Sequence, residues 1–96
     1  MPCCYIIFSP KVNKFYIGAS HLDFSLRLFS HNSHKYGKKH FTSIADDWQV
    51  YLIIEVENFV QALRIERKIK SMKSKIFIQN LKKYPELIDK IKISTS

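Results

Sequence analysis

Ninety-six residues, nearly half of them hydrophobic and with only two glycines and three prolines, describe one folded domain and exclude both a disordered tail and a two-domain chain. Sixteen Lys and Arg against eight Asp and Glu leave a formal net charge of +8, an excess that draws a small domain towards polyanions, nucleic acid first. The basic residues are spread over several segments and form no single amphipathic surface helix. No apolar run approaches membrane-spanning length and the N-terminus lacks a signal-peptide pattern, so a cytoplasmic chain with no membrane partner is expected.

The adjacent Cys3 and Cys4 are poor disulfide partners for each other and lack zinc spacing; they read as small hydrophobes at a strand start. The runs from Cys4 to Phe8 and from Phe15 to Ala19 are rich in aromatic and β-branched residues. Ser9-Pro10-Lys11-Val12-Asn13-Lys14 between them has turn chemistry, and together the three predict a β-hairpin. Alternation puts Tyr5, Ile7 and Ser9 on one face and Ile6 and Phe8 on the other, with Tyr16 and Gly18 opposed to Phe15 and Ile17 on the second strand. Tyr5 and Tyr16 can thus share a face. On the hairpin alone, two phenols on one surface are packing residues.

Ser20-His21-Leu22-Asp23 has the form of a capping box opening a helix that runs to about His31 or Asn32. Leu22, Leu26 and Phe29 share its apolar face, while Arg27 and His31, four apart, share another. A guanidinium and an imidazole one turn apart can hold a phosphate between them, the first by a two-pronged charged contact and the second by hydrogen bonding or proton transfer. Taken alone, a surface Arg and a surface His are the simpler reading. The segment from Asn32 to Asp47 predicts a long loop with room for a short helix. Its Lys35, Lys38, Lys39 and His40, with His34, Tyr36 and Phe41 among them, suit backbone contact and base stacking on nucleic acid, and equally a solvated basic loop. Its histidines have no partners at tetrahedral zinc spacing, and Asp46-Asp47 reads as turn chemistry.

Trp48 to Val56 predicts a buried strand, central or third, with Glu55 and Glu57 as rim residues at its end and a carboxylate role for Glu55 left open. Residues 60 to 73 form the clearest helix, with Ala62, Ile65, Ile69 and Met72 as its buried stripe. Glu66 lies at the margin of that stripe. It is either an intrahelical partner for Lys70 or a metal ligand, and patterning favours the first. A second basic helix follows, carrying Asn80, and Tyr84-Pro85-Glu86 restarts the chain as a short terminal helix with a frayed Ser-Thr-Ser end. The predicted class is α/β: a small three-stranded, mostly antiparallel sheet flanked by helices, in order β-β-α-β-α-α.

In order along the chain, Tyr5-Ile6-Ile7, Tyr16-Ile17-Gly18, Arg27-Leu28-Phe29-Ser30-His31, Ala62-Leu63-Arg64-Ile65-Glu66 and Ile69-Lys70 resemble the motifs of the GIY-YIG nuclease superfamily. Tyr16-Ile17-Gly18 is the second triplet unaltered. The Gly-Ile of the first triplet is replaced by Cys3-Cys4, which leaves its tyrosine in place. The resemblance covers residues 4 to about 82, and the chain is similar to the small stand-alone bacterial branch and to the N-terminal nuclease domain of the excision-repair endonuclease.

The resemblance implies a metal-dependent endonuclease that hydrolyses phosphodiester bonds in DNA, with RNA left open, in repair, recombination or mobile-element processing. One Mg²⁺ or Mn²⁺ would be held mainly by Glu66, Arg27 would clamp the scissile phosphate, and Tyr5 would be the base, with Tyr16 orienting water or phosphate; the two tyrosine roles are interchangeable. His31 would bind phosphate or relay the proton. The sheet face with Tyr5 and Tyr16 would meet Arg27 and His31 from the first helix and Glu66 from the next. Gly18 and Asn80 are secondary candidates for the site, and Lys70 and Lys73 join the loop residues as nucleic-acid contacts. Target choice is not legible in the sequence, and a specificity partner or a dimer is left open. The alternatives are a nucleic-acid-binding module of the same fold with little catalysis, suggested by Cys3-Cys4, and a basic structural or interaction protein.

Overall fold

A computed structural model of the chain describes residues 1–21, 31–32 and 41–96. The helix expected from 22 onwards lies outside these residues except for its last two, His31 and Asn32, which are helical. Three antiparallel strands, β1 (Cys3–Ser9), β2 (Lys14–Ser20) and β3 (Gln49–Glu55), form one sheet in the order β2-β1-β3. After β3 come three helices, α1 (Phe59–Met72), α2 (Lys75–Lys83) and α3 (Pro85–Thr95), and a 3₁₀ turn at Phe41–Ile44 precedes it. The order and the mixed α/β class are those expected.

The hairpin forms because both strands alternate cleanly around a turn whose Asn13 takes a left-handed φ of 53°, a conformation that asparagine tolerates. Its register pairs Tyr5 with Gly18 and Ile7 with Tyr16. Asp47 ties the turn from outside: the Ser9 hydroxyl donates to one carboxylate oxygen at 2.5 Å and the Lys11 amide to the other at 2.9 Å. These two bonds hold the Asp47 carboxyl below its usual range, the Ser9 bond contributing most. The aspartate reading as turn chemistry is therefore correct, although the turn it serves is distant in sequence.

β1 is the central strand and is buried on both faces. One face packs Cys4 and Ile6, with Ile17, Ala19 and Ile54, against Ala62, Ile65 and Ile69 of α1, Ile78 and Leu81 of α2, and Ile91 of α3. The other face packs Cys3, Tyr5 and Ile7 against Ala45 and Trp48. Cys3 and Cys4 are buried thiols outside any disulfide that keep full register with Ser20 and Ala19, so the strand tolerates them as small hydrophobes. Burial, then Glu66 and Cys3, push the Cys4 thiol well above its usual range.

Three features differ from the sequence reading. β3 is an edge strand and not a buried one: Val50 and Ile53 are 46% and 40% exposed, and a bulge opposite the Ile6/Ile7 step puts Tyr51 and Leu52 together on the helix side. Glu55 and Glu57 are exposed, as expected. Met72 is 46% exposed, because α1 ends there and Lys73 turns the chain through a left-handed φ of 47°. The terminal residues do not fray: Thr95 is buried, and its hydroxyl donates to the Ile91 carbonyl at 2.6 Å inside the last turn of α3.

Candidate active site

Tyr5 projects from the central strand onto the face away from the helices, and the room for its ring is made by Gly18. A Cβ at Gly18 would lie 2.5 Å from both Cζ and Oη of Tyr5, closer than real carbon contacts come. Glycine is thus required here to let the phenol lie across the neighbouring strand. Tyr16, two residues earlier on β2, places its ring centre 6.5 Å from that of Tyr5 and remains half-buried, while Tyr5 is only 2% exposed.

His31 completes this group. It is 1% exposed, with its ring centre 5.9 Å from Tyr5 and 5.0 Å from Tyr16. A hydrogen bond of 2.9 Å joins Nε2 to the Tyr5 hydroxyl, and one of 2.7 Å joins Nδ1 to the Thr42 hydroxyl. The imidazole is therefore held at both nitrogens, which fixes its plane and couples its two protonation sites to different partners. The reading of His31 as a surface residue is corrected: neighbours far off in sequence bury it.

Thr42 is held in turn. The Trp48 indole N–H donates to the Thr42 carbonyl at 2.8 Å, and the Asn32 amide side chain both accepts from Trp48 N–H at 2.7 Å and donates to Trp48 C=O at 3.1 Å. Asn32, Thr42 and Trp48 are thus supports that sequence patterning did not single out, since a lone Thr in a loop and a Trp before a strand carry no spacing signal.

Glu66 lies on α1, which packs on the sheet face opposite the tyrosines. Its partner Lys70 donates to a Glu66 carboxylate oxygen at 2.6 Å while its ammonium stands 5.7 Å from the Tyr16 ring centre. The intrahelical pair expected of Glu66 is thus formed. Beside it opens a cleft of about 270 Å³ lined by Leu63, Glu66, Arg67 and Lys70. Among the described residues no three carboxylate, imidazole or thiol groups converge as a ready-made metal cage.

Arg27 lies outside the described residues, as do Lys35, Lys38, Lys39 and His40. Asn80 sits half-buried on α2, a helix whose buried residues join the core on the face away from Tyr5, and its carbonyl accepts the Tyr84 amide at 2.8 Å where α2 ends. Lys70 and Lys73 line a second groove on the β2 side of α1.

A buried phenol–imidazole–hydroxyl chain from Tyr5 through His31 to Thr42, with the Lys70–Glu66 ion pair on α1, marks this small α/β protein. Residues 1–83 match the family model of the GIY-YIG catalytic domain, and the chain belongs to that family. Membership supports a nuclease-type function with nucleic acid as the substrate. No curated protein and no solved structure matches the chain.

Proposed function

We propose that this chain is a metal-dependent endonuclease that hydrolyses phosphodiester bonds in DNA. The observation that carries the reading is the buried hydrogen-bonded chain from Tyr5 through His31 to Thr42, built on the strand that pairs with the Tyr16-Ile17-Gly18 triplet.

A phenol with a pKa near 10 is a weak base at neutral pH, and the imidazole answers this. With its proton on Nδ1 and shared with Thr42, His31 presents a lone pair at Nε2 to the Tyr5 hydroxyl. As Tyr5 takes a proton from the attacking water, its own proton passes to Nε2, so no free phenolate has to form. Tyr16 is the more exposed phenol and orients that water towards the buried one. Arg27 clamps the phosphate by its two-pronged geometry.

Glu66 suits Mg²⁺ or Mn²⁺, since a single carboxylate beside an open cleft is how magnesium is commonly held, with waters and phosphate completing its shell. When bound, the metal supplies charge stabilisation at the phosphate and the leaving 3′ oxygen. Lys70 pairs with the Glu66 carboxylate one helical turn away.

The test is cleavage of labelled duplex, flap, junction and single-stranded DNA with Mg²⁺ or Mn²⁺, comparing the native chain with Glu66→Ala and Tyr5→Phe. Cutting that requires the metal and both side chains is expected. Salt-sensitive binding without cutting by any of the three would overturn the reading in favour of a binding module, and RNA cut in preference to DNA would overturn the substrate.

A further inference from the structure

Besides the Glu66 cleft, a groove of about 490 Å³ opens on the outer side of β2, where α1 ends and α2 begins. Lys14, Lys70, Lys73 and Lys75 stand around it, and among the described residues no carboxylate lines it. Its floor is apolar, made by Phe15, Ile17, Ile69 and Ile78. Lys75 is fixed by donating to the Asn13 carbonyl at 2.9 Å, which ties α2 to the hairpin turn. Lys73 holds the left-handed position that ends α1, where glycine is the usual residue, so an ammonium is kept at the rim against the backbone preference. Lys70 belongs to both concavities, so the groove begins beside Glu66 and leads away along β2.

We propose that this groove seats an unpaired strand of the nucleic acid being cut, with its phosphates on the lysine rim and its bases against the apolar floor. The proposal rests on the nuclease reading and names the substrate class that reading leaves open: nucleic acid with a single-stranded flank next to the scissile bond. Charge complementarity selects a polyanion. The floor then selects among polyanions, because a duplex offers a groove phosphates and sugars, whereas an unpaired strand also offers the flat apolar faces of its bases.

The test measures binding with divalent cations chelated, so that its result does not depend on cleavage. A labelled oligothymidylate and a blunt duplex of equal length are titrated with the native chain, with Lys14→Glu/Lys73→Glu, and with Lys90→Glu/Lys92→Glu on α3, which makes the same charge change elsewhere. Lys14 and Lys73 are exposed, so the fold is expected to survive, as circular dichroism would verify.

The groove variant is expected to bind oligothymidylate at least tenfold more weakly and to lose roughly 1.4 from the salt-dependence slope, about 0.7 for each phosphate contact removed. Duplex binding is expected to fall much less, and the α3 variant to stay near native. Equal losses in both variants would overturn the proposal in favour of diffuse charge, as would equal losses for single strand and duplex. It would also be overturned if the groove variant lost affinity only for anionic phosphatidylserine vesicles. A native chain that cuts DNA while the groove variant binds as well as native refutes the groove and leaves the nuclease reading intact. Groove-dependent binding by a chain that cuts nothing refutes the nuclease reading and leaves the groove.

Discussion

Replacing Gly18 by alanine is a one-carbon test of how the site is built. The added Cβ would lie 2.5 Å from the Tyr5 ring carbon and hydroxyl, where ordinary contact begins near 3.4 Å. The ring must therefore retreat by roughly 1 Å, moving its hydroxyl relative to His31. Overpacking of this kind costs about 1–3 kcal/mol, and weakening the buried Tyr5–His31 bond adds about 1 kcal/mol. A misplacement near 1 Å at a reacting group lowers turnover about 100-fold. The assay is urea unfolding followed by Trp48 fluorescence, run as a double-mutant cycle with Tyr5→Val, alongside cleavage by Gly18→Ala itself. With the ring gone the clash goes too, and alanine at 18 should then be neutral or stabilise by about 0.4–1 kcal/mol through the unfolded chain. If Gly18→Ala costs the same in both backgrounds, or costs nothing in the native one, the claim that this glycine exists to seat Tyr5 is wrong.

Thr42→Val leaves a buried imidazole nitrogen without its hydroxyl partner and should cost about 1–3 kcal/mol of stability. It should also change the His31 tautomer seen by ¹⁵N NMR and cut turnover more than tenfold, while Thr42→Ser keeps all three; a valine variant with native imidazole shifts would sink the support role. The Asp47 carboxyl is held below its ordinary value, near 3.9 in an unfolded chain. Its contribution is therefore complete above that value and lost as pH falls through the lower folded one. Native protein should lose more stability between pH 5 and pH 3 than Asp47→Asn, as urea midpoints would show, and equal losses would refute the clamp. Cys3 and Cys4 are buried, and the Cys4 thiol is pushed upward, so a disulfide reagent should modify neither until urea unfolds the chain. Rapid reaction of both in the folded state would contradict the packing of β1.

The hairpin was legible because its information is local: alternation assigns the faces of Tyr5 and Tyr16 without reference to anything else in the chain. The pairing of Glu66 with Lys70 was legible for the same reason, being one helical turn. The burial of His31 was not, since four-residue spacing with Arg27 describes a helix face but not what covers it, and the cover comes from Tyr5 and Thr42. The edge position of β3 escaped notice because an apolar run reads alike in a central strand and beside a bulge. The placing of Glu66 on the sheet face opposite the tyrosines depends on which face α1 takes, and that is settled by the match of Ala62, Ile65 and Ile69 to Cys4, Ile6 and Ile17. Met72 and Thr95 lie at helix ends, where one residue of extension decides exposure and apolar spacing carries no sign of it.

The central position of β1 carries a consequence for how the protein is made. Tyr5 precedes its partners along the chain, and its strand can pair early with β2, but the β3 ladder, His31 and Thr42 all arrive later. Contacts this distant in sequence form late in folding, and Glu66 follows later still during synthesis. A nascent or truncated chain can thus display the hairpin without assembling the buried group around Tyr5, which waits until the sheet and its first packed helix have been translated.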